Sequence, residues 1–248
     1  MKYRIIIIFS LILLSGALRA QDQKVQNRPY TDLRSLHFGV LVGTHLQDLE
    51  FVNRGPQTIT SADGTQVEQT IVTDQDRWDN GFTVGVLAEL RLNTYFQFRV
   101  APAMYFGTRH IMFHNLTQLD NNGNPTEKTQ ELKTAYISSA LDIIAAAPRM
   151  NNHRPYVLVG INPMINLSGK NDDIVKLKSY DTYLEFGVGC DFYLPFFKLR
   201  PELKFMYGLT NCLDTKHVNQ MRNGELIPYT NSVTEAHSKI IALTFHFE

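Results

Sequence analysis

Apolar and polar side chains alternate through residues 181–211, and this pattern predicts two β-strands joined by a short turn. Before the turn, one face carries Leu184, Phe186, Val188, Cys190 and Phe192, and the other carries Asp181, Glu185 and Asp191. After Leu194-Pro195-Phe196 the parity changes, so that one face carries Leu199, Leu203, Phe205, Tyr207 and Leu209, and the other carries Lys198, Arg200, Glu202 and Lys204. The hairpin therefore has one apolar face and one charged face.

Similar segments recur along the chain and predict eight strands. They are 35–45, 81–91, 95–109, 132–144, 154–167, 180–192, 198–211 and 239–247, the fourth of which could equally extend as a helix through Ala145-Ala146-Ala147. Most of them reach or exceed the ~9 to 11 residues that a tilted strand needs to cross a bilayer. The predicted fold is an all-β, eight-stranded, antiparallel up-and-down transmembrane β-barrel, in which the apolar faces contact lipid.

The connections between these strands alternate strictly in length. Segments 46–80, 110–131, 168–179 and 212–238 are long and polar, whereas 92–94, 145–153 and 193–197 are short. Outer-membrane barrels have this asymmetry, with short periplasmic turns and long outer loops. We therefore expect an integral protein of the outer membrane whose two termini are both periplasmic.

The start of the chain predicts export. Lys2 and Arg4 precede an apolar run of about ten residues, and a small-residue stretch ending at Ala20 leads into polar sequence. This is typical of a secretory signal peptide, and the run is shorter than the ~20 residues of a membrane-spanning helix. The predicted organisation is a cleaved signal peptide at 1–20, an N-terminal periplasmic segment at 21–34 and the outer-membrane β-barrel at 35–248.

Charge gives no support for a nucleic-acid partner. Without Lys2, Arg4 and Arg19 of the signal peptide, 21 of the 24 basic residues remain against 24 acidic residues. The mature chain is thus mildly acidic, and it has no block of basic residues. The expected surroundings are outer-membrane lipid and, during biogenesis, the barrel-assembly machinery. No cofactor is predicted.

An eight-stranded barrel has a lumen just wide enough to be filled by side chains or to hold one small ligand. The polar faces of the predicted strands place charged residues there, and Glu185 is expected near Lys204, and Asp191 near Lys198 or Arg200. We expect a lumen charge network that fills the barrel, although a proton or solute path would use the same residues. Its predicted members are Glu89, Arg91, Arg99, Asp142, Glu185, Asp191, Lys198, Arg200, Glu202 and Lys204.

Two cysteines in an exported protein would usually suggest a disulfide. In the predicted hairpin, however, Cys190 lies near the periplasmic end of one strand, opposite about Leu199, and Cys212 lies at the outer end of the next. Cα atoms more than ~7 Å apart cannot be bridged. We therefore predict two free thiols, with Cys190 facing lipid.

The sequence ends in alternate aromatic residues, Phe245 and Phe247. Such an ending resembles the signal by which barrel-assembly machinery recognises its substrates. Membership of a lower aromatic girdle explains both residues equally well. Phe245 and Phe247 are therefore predicted as a terminal assembly signal, with the girdle as the alternative.

An outer-membrane hydrolase is a less favoured hypothesis. Its candidate residues lie in predicted loops or at strand ends: His110, His114, Asp172, Asp173, Asp214 and His217. The segment His110-Ile111-Met112-Phe113-His114 lacks the Glu of a zinc-protease helix motif, and no nucleophile is paired with an oriented base. The sequence predicts neither a catalytic residue nor a metal ligand, and we expect the protein not to be an enzyme.

The stretch Tyr183-Leu184-Glu185-Phe186-Gly187-Val188-Gly189-Cys190-Asp191-Phe192-Tyr193-Leu194-Pro195-Phe196-Phe197-Lys198-Leu199-Arg200-Pro201-Glu202-Leu203-Lys204-Phe205 resembles the signature hairpin of the PorT (SprT) family. The likeness extends to Leu36-His37-Phe38-Gly39, to Arg154-Pro155-Tyr156 and to the final Leu243-Thr244-Phe245-His246-Phe247-Glu248. It covers nearly the whole mature chain and is weakest in the long loops.

This resemblance implies a Bacteroidetes outer-membrane barrel that is required for protein transport by the type IX secretion system. That system carries cargo with a C-terminal signal domain across the outer membrane. A barrel of eight strands is far too narrow for folded cargo, which favours an accessory or assembly role beside other type IX components. The family implies no catalytic residues. A small stand-alone porin or a surface ligand-binding barrel is the alternative, because long polar loops suit ligand binding.

Overall fold

The computed structural model describes residues 25–60, 66–119, 123–168, 173–221 and 224–248. The predicted signal peptide at 1–20 lies outside the described residues. Within them there are ten strands: β1 (Leu36–Asn53), β2 (Pro56–Thr60), β3 (Gln66–Asp74), β4 (Asp79–Arg91), β5 (Phe96–Leu119), β6 (Pro125–Ala146), β7 (His153–Asn166), β8 (Tyr180–Tyr193), β9 (Lys198–Gly208) and β10 (Val233–Phe247). The helical pieces are the short turns Thr31–Leu33, Thr215–Gln220, Gly224–Leu226 and Ile227–Thr230. No helix of the described part is long and apolar enough to cross a membrane.

Eight of these strands close into a barrel. β1 pairs with β4 on one side and with β10 on the other, and β4 to β10 each pair antiparallel with the next strand. The ring is therefore continuous, and each of its eight strands has a paired strand on both sides, as a strand in lipid requires. The eight-stranded antiparallel up-and-down barrel that the sequence predicts is confirmed, and the segment at 132–144 is strand rather than helix.

The barrel has two different ends. The short connections β4–β5, β6–β7 and β8–β9 lie at one end, together with the start of β1 and the end of β10. We call this the turn end and the opposite end the loop end. The names describe the fold alone and imply no direction in the membrane.

At the loop end the structure contains more strand than predicted. The segment 46–80, expected to be a loop, contains the hairpin β2–β3, and β3 joins the barrel wall through Ile71 to Asp74 paired with Asn115 to Met112 of β5. Most of 110–131 continues β5 and β6 as one long hairpin. The prediction of long loops at these two places was wrong. Both hairpins form a sheet that projects beyond the rest of the barrel.

A continuous band of apolar side chains covers the outside of the barrel. Phe38 is 69% exposed and Phe82 is 55% exposed, values that are unusual for large apolar residues facing water. We call this band the apolar belt; it runs from the turn end, at Leu36, Leu90, Phe96, Phe192 and Phe247, to Leu46, Phe82, Phe106, Ile165 and Tyr207 nearer the loop end. Its closure around the ring fits a hydrocarbon environment.

The alternation of apolar and polar residues changes phase where the belt ends. In β5, Met104 and Phe106 face outward within the belt, but beyond it Ile111 and Phe113 face inward and are 0% exposed. Their strand neighbours His110 and His114 face outward there. No residue is inserted; the environment of the outer face changes instead. An apolar exterior over a polar interior is thus replaced by the arrangement of a water-soluble sheet.

Candidate functional site

The interior near the turn end is a cluster of charged side chains. Alternate residues of β4, β5, β6, β8 and β9 point inward because side chains of a strand alternate between its faces. Nine of the ten residues predicted for the lumen charge network are buried there: Glu89, Arg99, Asp142, Glu185, Asp191, Lys198, Arg200, Glu202 and Lys204. Because a buried charge is costly unless it is paired, these side chains require partners among one another.

Arg99 of β5 lies at the centre of this cluster. Its Nη1 is 2.8 Å from Oε2 of Glu202 and 3.9 Å from Oδ2 of Asp142, and its Nε is 3.3 Å from Oε2 of Glu89. The hydroxyl of Tyr156 donates to the same Glu202 oxygen at 2.7 Å. One guanidinium therefore ties together carboxylates from β4, β6 and β9 across the lumen.

Arg200 forms a second centre closer to the turn end. Its guanidinium is 2.5 Å from Glu89 and 2.6 Å from both Asp191 and Glu248. The guanidinium carbon lies 4.8 Å from the centre of the Tyr156 ring, within the range of a cation–π contact. The predicted proximity of Asp191 to Arg200 is present in the structure.

Lys204 forms the third centre. Its ammonium is 2.9 Å from Glu185, 3.3 Å from Asp142 and 3.6 Å from Glu202. The predicted contact with Glu185 is thus present, although the directly paired residue of Lys204 is Gly187, so the contact runs diagonally across the strands. A side chain on Gly160 would collide with the Asp142 carboxylate and the backbone of Leu141, so this position of β7 requires glycine.

Arg91 does not belong to this cluster. It has the inward parity of Glu89 but lies at the last residue of β4, beyond the rim, where it donates to the backbone oxygens of Leu33 and Asn93. The prediction that it lies in the lumen is wrong in this respect, because parity alone does not show where the barrel ends.

The structure adds residues that were not predicted for the lumen: His37, Tyr156, His246 and Glu248. The alternation of β10 would have indicated His246, since Phe245 and Phe247 face outward.

Above the charges, toward the loop end, the lumen is filled by a layer of aromatic and aliphatic side chains. Tyr105, Tyr136 and Tyr183 are each at most 5% exposed and pack with Met164 and Met206. Arg109 lies next to this layer and is fully buried. It donates to Gln47 at 3.1 Å, to Ser238 at 2.7 Å and to the backbone oxygen of Asp48 at 3.0 Å. The middle of the barrel is therefore a packed core.

The loop end is closed by an apolar cap. Strand residues below it, among them Leu49 and Phe113, are covered by side chains from the connections at 173–178 and 212–232; the covering residues are Ile174, Val175, Leu177, Cys212, Leu213 and Tyr229. Gln130 fastens the first connection by donating to the Val175 oxygen at 3.0 Å and accepting from the Val175 nitrogen at 2.9 Å. These contacts cover the lumen from the loop end.

Both cysteines are free, as predicted. Cys190 is partly exposed on the outside of β8. Cys212 lies in the cap rather than at the outer end of β9, which ends at Gly208. Burial among apolar side chains raises the pKa of the Cys212 thiol to about 12. A thiol in this state is a poor nucleophile at neutral pH.

The turn end is crossed by residues 25–33, which we call the N-terminal strap. Asp32 accepts a hydrogen bond of 2.6 Å from the Tyr193 hydroxyl and lies 3.5 Å from Nη1 of Arg149. Arg149 stacks on the Tyr193 ring at 3.7 Å and donates to the backbone oxygens of Asn27 and Arg28. Arg28 donates to the backbone oxygen of Glu248 at 3.0 Å. The strap therefore binds two turns and the end of β10.

The residues considered for hydrolysis lie in two separate places, on the outer face of β5 and in the cap, and do not form one site. His110 Nδ1 is 2.8 Å from Asp79 and its Nε2 is 3.6 Å from Glu131, on the outer face of β5, whereas His217 is buried in the cap with Nε2 2.7 Å from the Asp173 oxygen. His114 lies 3.3 Å from Glu127, and Asp214 accepts from the Lys216 nitrogen at 3.2 Å. Asp172 lies outside the described residues. Among those described, no three His, Cys, Asp or Glu side chains converge as metal ligands.

Phe245 and Phe247 lie on the outside of β10, in the part of the apolar belt nearest the turn end. The Phe247 ring is 5.9 Å from that of Phe197. This position suits an aromatic girdle, and the assembly signal stays a prediction.

A closed barrel with an apolar exterior and an interior of charged side chains that pair with one another is the architecture of a transmembrane β-barrel. The chain belongs to the family described as outer membrane protein beta-barrel domain, whose model matches residues 20–214. It is an outer-membrane β-barrel protein. No curated protein matches its sequence.

Solved structures of small outer-membrane barrels are similar to it. OprG from Pseudomonas aeruginosa is 12% identical, with 85% of this chain and 93% of that chain covered and a TM-score of 0.46. Neisserial surface protein A is 11% identical, with 86% and 98% covered and a TM-score of 0.41. The attachment invasion locus protein Ail of Yersinia pestis, solved with a heparin analogue, is 11% identical, with 86% and 99% covered and a TM-score of 0.37.

Proposed function

We propose that this protein is an accessory or assembly component of the type IX protein secretion system that acts through its surfaces. Two observations support the proposal. The hairpin formed by β8 and β9 carries the resemblance to the PorT family, and the lumen is filled along its length. The filled lumen argues against a conduit for cargo or solutes, because it is a property of this chain itself.

The filling of the lumen is continuous from end to end. The N-terminal strap crosses the turn end, the carboxylates around Arg99, Arg200 and Lys204 occupy the next level, tyrosines occupy the middle, and the apolar cap covers the loop end. Transport of a solute would require several of these layers to separate together. A role that leaves the lumen intact requires no such rearrangement.

The proposal includes an orientation. The turn end faces the periplasm and the loop end faces outward, as in other outer-membrane barrels with short periplasmic turns. Both termini are then periplasmic, and the N-terminal strap is available to periplasmic components of the secretion machinery. The surroundings are outer-membrane lipid, other type IX components and, during insertion, the barrel-assembly machinery. No catalytic step is part of this role.

Gene deletion tests the proposal. The deletion strain is expected to lose secretion of every cargo that carries the C-terminal signal domain, and a plasmid copy of the gene is expected to restore it. Loss of uptake of one solute, with normal secretion, would support a porin and contradict the proposal. Purified protein in planar bilayers provides an independent measurement, and stable single-channel conductance would contradict the sealed lumen.

A surface ligand-binding barrel is the second candidate. It is favoured by the sheet that β3, β5 and β6 form beyond the apolar belt, whose outward residues are mostly polar. If the deletion strain secretes normally but loses adhesion or ligand binding, this candidate replaces the first.

A further inference from the structure

A groove on the outside of the barrel lies where the apolar belt meets the polar loop end. It is formed by the outer faces of β4, β5 and β6 together with Arg77 and Trp78, which directly precede β4, and has a volume of about 810 Å³. Its apolar part contains Trp78, Phe82 and Phe106, and the rings of Phe82 and Phe106 are stacked at 5.0 Å. Its polar part contains Arg77, His110 and Lys133.

The position of the groove restricts what can occupy it. Phe82 and Phe106 belong to the apolar belt, so this part of the groove opens into hydrocarbon. Lys133 and His110 lie on the continuation of the same strand faces beyond the belt, so that part opens into the headgroup region. An occupant must therefore be apolar at one end and polar at the other, with both ends in the same order as a membrane lipid.

The polar part carries charges suited to a phosphate. Asp79 is buried and is already bound by Nε of Arg77 at 3.3 Å, by the backbone nitrogen of His110 at 2.7 Å and by its ring at 2.8 Å. The Asp79 carboxylate is therefore already paired within the barrel wall. Its hydrogen bonds orient the side chains of Arg77 and His110. The Arg77 side chain is 58% exposed, and Lys133 is exposed. Glu131, 69% exposed, is the opposing charge nearby.

We infer that this groove binds the phosphorylated headgroup of a lipid in the leaflet at the loop end. The acyl chains lie along Phe82 and Phe106, the ring of Trp78 lies at the level of the glycerol or sugar backbone, and Arg77 and Lys133 donate to the phosphate. Aromatic rings at this depth and basic side chains above them are the two features that anchor proteins to lipid headgroups. The inference does not depend on the secretion role.

The sequence offers a direct probe, since Trp78 is its one tryptophan. The full-length mature protein in neutral maltoside micelles is titrated with dioctanoyl phosphatidylglycerol, with dioctanoylglycerol and with inorganic phosphate, and Trp78 fluorescence is recorded. We expect phosphatidylglycerol to half-saturate the signal at a concentration at least ~10-fold lower than dioctanoylglycerol does. Inorganic phosphate is expected to give no change.

Substitution separates a headgroup site from general lipid contact. The double variant Arg77→Gln, Lys133→Gln is expected to raise the half-saturating concentration of phosphatidylglycerol about tenfold, while leaving that of dioctanoylglycerol unchanged. Lys216→Gln, at the loop end but outside the groove, is the matched control and should behave as wild type. If heat-modifiable migration shows that the double variant is unfolded, the single variant Lys133→Gln carries the same test.

Three results would overturn the inference. Equal affinity for the two lipids would show an apolar groove without headgroup recognition. Saturation by inorganic phosphate would show a site for a soluble anion. Unchanged binding in the folded variant would show that Arg77 and Lys133 do not contact the phosphate.

Discussion

The Oε1 atom of Glu248 lies 2.6 Å from Nη1 of Arg200 inside the barrel, while the preceding residue, Phe247, faces outward in the apolar belt. Neighbouring residues at the end of β10 thus contact different environments. Glu248 also pairs with Lys198, and its backbone oxygen accepts from Arg28 of the N-terminal strap. Removing both residues together would combine a loss of charge pairing with a loss of an exposed aromatic ring.

Separate substitutions therefore test the terminal assembly signal. Phe247→Ala is expected to lower the fraction of heat-modifiable, membrane-inserted protein, because it removes the aromatic ring without touching the lumen. Glu248→Gln is expected to leave that fraction unchanged and to lower the free energy of unfolding by about 1–3 kcal/mol. Normal insertion of Phe247→Ala would favour the girdle interpretation over the signal.

The charge network predicts that substitution of Arg99 lowers the free energy of unfolding much more than substitution of Arg91. Arg99→Met is expected to cost about 3–5 kcal/mol in the free energy of unfolding, because it leaves Glu89 and Glu202 without their shared cation in a buried site. Arg91→Met removes an arginine on the rim and is expected to change it by less than about 0.5 kcal/mol. Urea unfolding in lipid vesicles, followed by heat-modifiable migration, measures both.

The sequence pattern predicts that both arginines lie in the lumen, so the two substitutions test whether Arg91 shares the surroundings of Arg99. Equal destabilisation by the two substitutions would show that Arg91 contributes to the network in the membrane. Little effect of either would show that the buried carboxylates find other partners or take up protons.

The Cys212 thiol is expected to react slowly. In the variant Cys190→Ser, alkylation of Cys212 by a maleimide at pH 8 should be at least ~100-fold slower in the folded protein than in the urea-unfolded chain. Since its pKa is raised to about 12, the rate should continue to increase with pH beyond pH 9, where an ordinary thiol levels off. Equally fast labelling of the folded and unfolded chains would contradict the burial of Cys212 in the cap.

Release of the N-terminal strap should be detectable by proteolysis. Asp32→Ala removes the acceptor for Tyr193 and the partner of Arg149, so trypsin cleavage after the exposed Arg34, which directly follows the strap, is expected to become about tenfold faster, equivalent to about 1.4 kcal/mol of local stability. Asp76→Ala, an exposed loop-end substitution, serves as the control. Equal cleavage rates in wild type and Asp32→Ala would mean that Asp32 does not hold the strap.

The barrel could be predicted from sequence because lipid outside and charge inside give each strand a strong alternation. The pairing of Glu185 with Lys204 and of Asp191 with Arg200 followed from the short turn between β8 and β9. The limits of the lumen network were harder to predict, because alternation shows whether a side chain faces inward but not how far along the barrel axis it lies. Arg91 and Glu89 share a parity, yet the rim lies between them.

The loop end was harder to predict for a different reason. Beyond Arg109 the alternation of β5 continues with the opposite phase, and a reversed phase is easily taken for the end of a strand. The cap could not be predicted either, because Ile174, Leu213 and Tyr229 come from three separated places in the connections at the loop end. Their contacts depend on long-range packing that no local pattern encodes.

The change of phase at the end of the apolar belt fixes the height of the barrel in the bilayer. Sliding by two residues along a tilted strand, about 5 Å along the membrane normal, would carry outward charges such as Lys133 and Glu50 into hydrocarbon. The opposite displacement would bring the outward rings of Phe82 and Phe106 into water. Charged residues cost ~2–4 kcal/mol at the bilayer centre and little at its surface, and several strands carry this boundary at once. Vertical position is therefore encoded in the wall itself, and any membrane neighbour meets each exterior residue at one constant depth.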